Sequence, residues 1–192
     1  MTSYIKNYAT KSGAEIEITG IITSVVMKFP AFLTSFSDTM TSNWNEETVY
    51  GRPDPIGTFQ NTTRKISLAF DLPSADITEA KENLFRINTV KQFLYPAYST
   101  NVVEPTSEEL LQQATQVQTK SPMIRLKLAN LIENGSGKGL LGWIGSFNAT
   151  PVIDMGMFNE DKKLFPKVYN VSIDFTPQHE FDLGYKSDGK MI

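Results

Sequence analysis

The stretch that decides the fold class is Tyr169-Asn170-Val171-Ser172-Ile173-Asp174-Phe175. Its apolar side chains alternate with Asn, Ser and Asp, and a period of two residues is typical of a strand with one buried face. The segment Lys65–Asp71 repeats this alternation, with its apolar residues at Ile66, Leu68 and Phe70. Both segments are therefore predicted to be half-buried strands.

Three further segments, 44–50, 124–128 and 140–149, are predicted to be strands on the same grounds. The glycine-rich stretch 134–139 between the last two is predicted to be a hairpin tip. The apolar run 21–36 is rich in β-branched and aromatic residues, and Pro30 is expected to break it or to mark an edge strand. Residues 51–57 contain two prolines and two glycines, which predicts a turn.

One amphipathic helix is predicted over residues 75–94. Its apolar residues recur with helical spacing, and Ser74 precedes it as an expected N-cap. The Tyr95-Pro96 pair should end it, because the residue before proline is disfavoured in helical geometry. A second, shorter helix is predicted at 107–118, because Thr106 and Glu109 have the spacing of a capping box.

These elements predict an α+β fold, an antiparallel β-sandwich or barrel with one main flanking helix and extended terminal arms. Residues 1–19 are expected to form an N-terminal arm, and residues 181–192 a C-terminal tail. The intervening residues 20–180 are predicted to be a single β-rich domain. A polar, glutamine-containing insertion is expected within it at about 97–122.

Composition excludes several classes of function. The 192-residue chain has a net charge of −3, and its cations are scattered, so binding to a nucleic-acid backbone is not expected. There is no cysteine and only one histidine, which excludes disulfides, thiolate metal sites and histidine-rich metal sites. No stretch is long and apolar enough to cross a bilayer, and residues 1–8 lack the apolar core of a signal peptide, so synthesis in the cytosol is expected.

No catalytic set is predicted. The loop at 135–139 contains a Gly-Lys pair, but Gly139 stands where a phosphate-binding loop needs Ser or Thr, so we interpret it as a turn. His179 lies beside Glu180 and near Asp174 and Asp182, and a histidine next to carboxylates can act as a general base, but no nucleophile pattern accompanies it. The spacing of Asp54, Asp71 and Asp76 matches no calcium loop, and turn or helix-start roles explain these residues more simply. We therefore predict a non-enzyme without cofactor or metal.

Aromatic residues make up 11% of the chain, and several lie in predicted loops. They either complete the core or anchor contacts with other proteins, since aromatic side chains are enriched at interfaces. The candidate interface residues, which include two charged neighbours, are Tyr50, Arg52, Asp54, Phe59, Tyr95, Tyr98, Phe158 and Phe165.

Several segments together resemble a family of small baseplate and tail proteins of contractile-tailed bacteriophages. The matching stretches, which together span about residues 45–180, are Val49–Ile56, Thr63-Arg64, Phe70-Asp71, the helix residues Ala80, Asn83, Leu94, Tyr95 and Pro96, then Pro122–Arg125, Leu140–Trp143, Phe165–Val168 and Phe175–Glu180.

The resemblance implies a tail-tube-like fold and a structural subunit of a tail baseplate or tail tube, of the initiator or adaptor type. It also implies partners among other tail proteins, a homo-oligomeric ring with six-fold symmetry, and a place in the virion after synthesis in the host cytoplasm. Two alternatives stay open. One is a β-sandwich module that binds a small ligand or glycan, with Trp44, Trp143 and Tyr169 as stacking residues; the other is an enzyme that uses His179.

Overall fold

The computed structural model describes residues 15–30, 32–100, 116–134, 137–180 and 183–184. The described elements are eleven strands, one α-helix and a single 3₁₀ turn at Ile153–Met155. In chain order they are β1 (Glu15–Gly20), β2 (Val26–Pro30), β3 (Phe32–Glu47), β4 (Ile56–Pro73), α1 (Ile77–Phe93), β5 (Ala97–Thr100), β6 (Gln116–Lys120), β7 (Ile124–Leu128), β8 (Leu140–Pro151), β9 (Met157–Glu160), β10 (Lys163–Pro166) and β11 (Val168–Pro177).

Seven strands form one antiparallel sheet in the order β2-β1-β7-β8-β11-β4-β3. The register aligns the apolar residues of neighbouring strands, so that Ile173 on β11 lies opposite Leu68 on β4 and Phe147 on β8. One face of the sheet is therefore continuously apolar and forms the core, as the alternation predicts.

The sheet curls over its own buried face. Phe29 on the edge strand β2 and Phe70 on β4 have ring centroids 5.7 Å apart, although four strands separate β2 from β4 in the sheet order. In a flat sheet these positions would be about 24 Å apart, because adjacent strands are spaced by about 4.8 Å. The predicted antiparallel α+β fold with one flanking helix is confirmed at this level, and the described strands do not close into a barrel.

Helix α1 starts two residues later than predicted. Asp76, and not Ser74, is the N-cap, because its carboxylate accepts a hydrogen bond of 2.7 Å from the backbone amide of Glu79. The hydroxyl of Ser74 instead accepts from the side-chain amide of Asn83, at 3.0 Å. Asn83 is a buried polar residue, and it also accepts a hydrogen bond from Arg86, so its burial is compensated.

Two predicted boundaries are wrong within the described residues. Residues 15–19 are not part of an arm: β1 lies between β2 and β7, and Ile16 and Ile18 are buried. The predicted helix at 107–118 is contradicted at residues 116–118, which belong to strand β6 and pair with β5 in a separate two-stranded sheet. The remaining residues of both segments, 1–14 and 107–115, lie outside the described part of the chain, as do 181–182 and 185–192 of the predicted tail.

The predicted hairpin tip between β7 and β8 is confirmed. These strands pair in antiparallel register, and the amide of Asn134 donates to the carbonyl of Lys138 at 2.7 Å. Pro30 ends β2, as expected of a strand break. Strands β9 and β10 form a small hairpin of their own beside the helix.

Candidate functional site: a projecting ribbon of two strands

Strands β3 and β4 extend well beyond the sheet. Strand β4 pairs with β11 only from Ile66 to Pro73, whereas Ile56–Lys65 pairs with β3 alone among the described strands. Ten strand residues at about 3.3 Å each give a projection of about 30 Å. We call residues 39–65 the ribbon, and the seven-stranded sheet without the ribbon, together with α1, the body.

One face of the ribbon carries three large apolar side chains. A register shift between Asn43 and Trp44 brings Phe59 opposite Trp44, so that Met40, Trp44 and Phe59 share the face that continues the buried face of β4 past the end of the body. Ser42, Thr62 and Arg64 lie on the same face. The exposed fractions of Met40, Trp44 and Phe59 are 61%, 56% and 50%, whereas Ile66 and Phe70 further along β4 are fully buried. Trp44 and Phe59 pack edge to face across the two strands at 5.3 Å. Met40, Trp44 and Phe59 are called the apolar face below.

The opposite face of the ribbon is polar and mostly uncharged. It carries Thr39, Thr41 and Asn43 on β3, opposite Lys65, Thr63 and Asn61 on β4. The side-chain amide of Asn43 donates to the side-chain oxygen of Asn61 at 2.7 Å. The two faces therefore differ in that Met40, Trp44 and Phe59 all lie on one of them.

An ion pair braces the ribbon where it leaves the body. The guanidinium of Arg64 donates two nitrogens to the carboxylate of Asp38, with contacts of 2.9 and 2.5 Å. These hydrogen bonds hold the pKa of Asp38 below its usual value, and Asp38 in turn raises the pKa of Arg64. The pair fixes β3 and β4 in one register at the point where the sheet ends.

The tip of the ribbon presents side chains that contact little of their own chain. Residues 48–55 join the strands, and the amide of Arg52 donates to the carbonyl of Val49 at 3.2 Å. Gly51 has a φ of +85°, which glycine adopts without strain. Tyr50 is fully exposed, and Arg52 and Asp54 are exposed beside it. Four of the predicted interface residues (these three and Phe59) thus lie on the ribbon.

The other four predicted interface residues lie elsewhere. Tyr95 and Tyr98 are exposed near the end of α1, at 70% and 55%. Phe165 is 8% exposed, with the ammonium of Lys81 on α1 5.6 Å from its ring centroid, so its ring completes the core and is not available to a partner. Phe158 is half-buried, with the ammonium of Lys167 5.4 Å from its ring.

Of the two carboxylates that follow His179, the one that the structure describes, Glu180, is paired with Arg125. Glu180 accepts two hydrogen bonds from Arg125, at 2.7 and 2.6 Å, and this pairing lowers the pKa of Glu180. Burial, together with the charge of Arg64, lowers the pKa of the half-buried His179 imidazole. Asp182 lies outside the described residues. The carboxylate of Glu180 is therefore bound on both oxygens by Arg125.

The three acidic residues considered for metal binding lie in different parts of the structure. Asp54 is at the ribbon tip, Asp71 accepts from Asn170 on the sheet at 2.8 Å, and Asp76 caps α1. Within the described ranges no group of three or more acidic or histidine residues is placed to hold a metal ion.

The three aromatic residues of the ligand-binding alternative do not meet in one site. Trp44 is on the ribbon, and Tyr169 is buried, which raises its pKa. Trp143 lies opposite Thr176, seven residues along β11 from Tyr169, or about 23 Å in an extended strand. Trp143 does border an open cleft of about 360 Å³, which is also lined by Phe93, Met123 and Gln178.

Sequence reasoning placed the tip residues at the surface but missed the apolar face. Met40 lies in a stretch without a clear alternation, and Trp44 was assigned only to a short strand at 44–50. A usable signal was present, because Phe36, Met40 and Trp44 stand at even spacings on one strand. An apolar strand face is ordinarily expected to be buried by its own chain. Only the strand pairing shows that the body ends at Ile66, before the strands reach Met40, Trp44 and Phe59.

No model of a protein family matches this chain, and neither does any curated protein sequence. Within the described ranges, no helix combines the length and the apolar composition that a bilayer crossing requires.

Proposed function

We propose that this protein is a structural subunit of a bacteriophage tail, in the baseplate or the tail tube, as an initiator or adaptor in a ring of identical chains. The ring order of six, the tail-tube-like fold and the partnership with other tail proteins come from the sequence resemblance. The observation that carries the proposal is the ribbon, which projects about 30 Å beyond the body and exposes Met40, Trp44 and Phe59 on one face.

A two-stranded ribbon of this kind is marginally stable in water by itself, because it buries little surface on either side. Three large apolar side chains on one exposed face add a cost in water that a partner surface would remove. The residue types at the tip and on this face, Tyr, Trp, Phe, Met and Arg, are those enriched in protein interfaces. The ribbon is therefore the surface through which the subunit contacts its neighbours.

The long edge of β3 supports the same role. Strand β3 has 16 residues and only one strand neighbour among the described elements, so one row of its backbone amides and carbonyls faces outward. Proteins that act alone usually protect such an edge with short strands, prolines or inward-pointing charges. A subunit of an assembly can instead leave it for the adjacent chain to cover.

The test is the location of the protein in purified virions. A copy carrying a small label at the end of the chain should appear in the tail by electron microscopy, in a ring. A label confined to the capsid, or absent from virions, would refute the proposal. The His179→Ala variant should assemble normally; loss of its function in a fully assembled tail would instead point to catalysis.

A further inference from the structure

Strand β8 has a free edge in the middle of the sheet. On one side it pairs with β11 along Gly142–Pro151, but on the other side β7 pairs only with Leu140–Gly142. None of the other described strands pairs with that second side. The edge of residues 143–151 is therefore open within the described part of the chain, and we call it the β8 slot.

The register shows which backbone groups of β8 point to β11. The amide of Val152, directly after β8, donates to the carbonyl of Val168 at 3.0 Å. In an antiparallel strand, the amide and carbonyl of successive residues point to opposite sides. Asn148 and Thr150, at even spacings from Val152, therefore also direct their amides and carbonyls to β11.

The amide and carbonyl groups of Phe147 and Ala149 consequently point into the β8 slot, where they have no backbone partner among the described residues. Pro151 is the next residue of this set. It has no amide hydrogen, and proline in a sheet is confined to strand edges without a partner on that side. The slot therefore presents backbone donors and acceptors at the spacing of a strand.

A cleft lies at one end of the slot. It has a volume of about 360 Å³ and is lined by Phe93 and Met123 together with Ile124, the first residue of β7. Trp143 and Ile144, the first residues of the slot, also line the cleft, and Trp143 is 46% exposed. The cleft is therefore continuous with the slot, and its aromatic and aliphatic lining suits one apolar side chain.

The side chains beside the slot are uncharged. Phe147 and Ala149 lie on the face that packs against the core, whereas Asn148 and Thr150 lie on the exposed face. Residues 143–151 contain no Asp, Glu, Lys or Arg, and neither does the lining of the cleft. A strand that fits the slot is therefore uncharged, with apolar side chains on the side of Phe147 and polar side chains on the side of Asn148.

We propose that an extended, uncharged segment of another protein adds to β8 in the β8 slot, antiparallel to β8, with an apolar side chain in the cleft beside Trp143. In strand addition, backbone hydrogen bonds supply affinity and pockets for alternate side chains supply selectivity. A row of backbone groups at strand spacing is matched by another extended backbone, whereas a small ligand or a helix would leave it unpaired.

The length of the slot favours a short segment of a different protein. The slot lies between the start of β7 and the turn at Ile153–Met155, whereas β3, the longest open edge that a second copy would offer, has 16 residues. This inference goes beyond the proposed function, because it concerns a surface away from the ribbon and a partner other than a copy of this chain.

The test uses a synthetic hexapeptide that alternates threonine and valine, preceded by two lysines for solubility. The chain has two tryptophans, so Trp44→Phe leaves Trp143 as the only one, and its fluorescence reports on the cleft. Added to the monomeric protein, the peptide should change this fluorescence with a Kd below about 1 mM.

A proline at position 149 blocks the slot without removing a hydrogen bond to β11. Ala149→Pro replaces an amide hydrogen that faces the slot by a ring, as Pro151 already does in the same row. It should weaken peptide binding at least about tenfold. Ala149→Val keeps the amide and is the matched control, which should bind as tightly as the wild type. The melting temperature verifies that both variants fold.

Two methylated peptides test the same hydrogen bonds on the unchanged protein, whatever the stability of Ala149→Pro. Residues opposite Phe147 and Ala149 turn their amides toward β8, and their side chains lie on the apolar side. The peptide with N-methylated valines should therefore not bind, whereas the peptide with N-methylated threonines should bind.

No binding at about 1 mM peptide would overturn the proposal, and so would equal binding of the two methylated peptides. Slow hydrogen exchange at the amides of Phe147 and Ala149 in the dilute monomer would mean that the chain itself covers the slot, which would also overturn it. Loss of self-association in Ala149→Pro would assign the slot to a second copy and contradict the proposal as well. The location of the protein in virions is independent of all these results.

Discussion

Strand β4 is one continuous strand of 18 residues, and its two halves differ in what covers them. In the body, Ile66, Leu68, Phe70 and Leu72 are buried under the curled sheet, whereas no residue from Ile56 to Lys65 is buried. Phe59 lies on the side of the buried residues because the register shift between Asn43 and Trp44 reverses the alternation of β4 at that point. The period of two residues therefore specifies the apolar side of a strand only as far as the next bulge, and it does not specify whether the same chain covers that side.

The largest expected difference is in the free energy of unfolding, when one aromatic residue of the body and one of the ribbon are each replaced by alanine. Phe70→Ala should lower the free energy of unfolding by about 3 to 5 kcal/mol, because it removes a fully buried ring that packs on Phe29. Trp44→Ala should lower it by about 1 kcal/mol, since the side chain is half exposed and loses its edge-to-face contact with Phe59 and an exposed hydrogen bond to Ser42. Urea denaturation of the monomer measures both; a Trp44→Ala effect as large as that of Phe70→Ala would place the ribbon inside the cooperative core.

A smaller effect is expected from adding one methyl group to β8. A Cβ atom at Gly142 would lie 2.2 Å from the carbonyl oxygen of Thr176, so Gly142→Ala should destabilise the body by about 1 to 3 kcal/mol. Gly145, three residues along the same strand, is the matched control, because its nearest contact would be 3.8 Å away. Gly145→Ala should be neutral or slightly stabilising in thermal unfolding. Equal effects at the two positions would contradict the close packing of β8 on β11.

The ion pair at the junction of body and ribbon should make stability depend on pH. The folded pKa of Asp38 is below its unfolded value, so its contribution is fully present above about pH 4 and is lost as the pH falls through the folded pKa. Asp38→Asn should therefore lower the free energy of unfolding by about 1 to 2 kcal/mol at neutral pH, and by progressively less in acid. Denaturant unfolding at several pH values measures the free energy of unfolding of the wild type and of Asp38→Asn. A difference between them that does not change with pH would argue against the ion pair.

The smallest expected effect concerns His179, which lies just beyond the end of β11. Its folded pKa is lowered below the ordinary value of 6.5, mainly by burial, so the unfolded chain binds a proton more readily. Stability should therefore fall as the pH drops below about 6.5, and this slope should disappear in His179→Gln. The melting temperature between pH 7.5 and 5.5 measures the slope; an identical slope in the variant would assign it to another group.

Much of the body was predictable from the sequence, because strands such as Val168–Pro177 alternate cleanly and bury one full face. Strand β1 was missed, although Ile16 and Ile18 alternate with Glu15 and Glu17, because a stretch of six residues near the end of a chain is a weak signal. The helix start was misplaced by two residues, since Ser74 and Asp76 are both good N-caps and only the geometry distinguishes them.

The candidate site was predictable in part. Tyr50, Arg52 and Asp54 were identified as surface residues because a turn rich in proline and glycine must lie outside the core. Phe165 was wrongly assigned to the surface, because a four-residue strand that packs under a helix has no periodicity to detect. The length of the ribbon follows from where β11 stops pairing with β4, and such long-range register is not encoded in a local pattern.

The most direct test of the central claim, that the ribbon is a docking arm which its partner completes, is amide hydrogen exchange in the monomer and in the assembled protein. The account predicts that amides in the ribbon strands, Thr39–Glu47 and Ile56–Lys65, exchange much faster in the monomer than those of Ile66–Leu72, and that assembly slows the ribbon amides selectively. Ribbon amides as protected in the dilute monomer as those of the body, or unchanged on assembly, would contradict it.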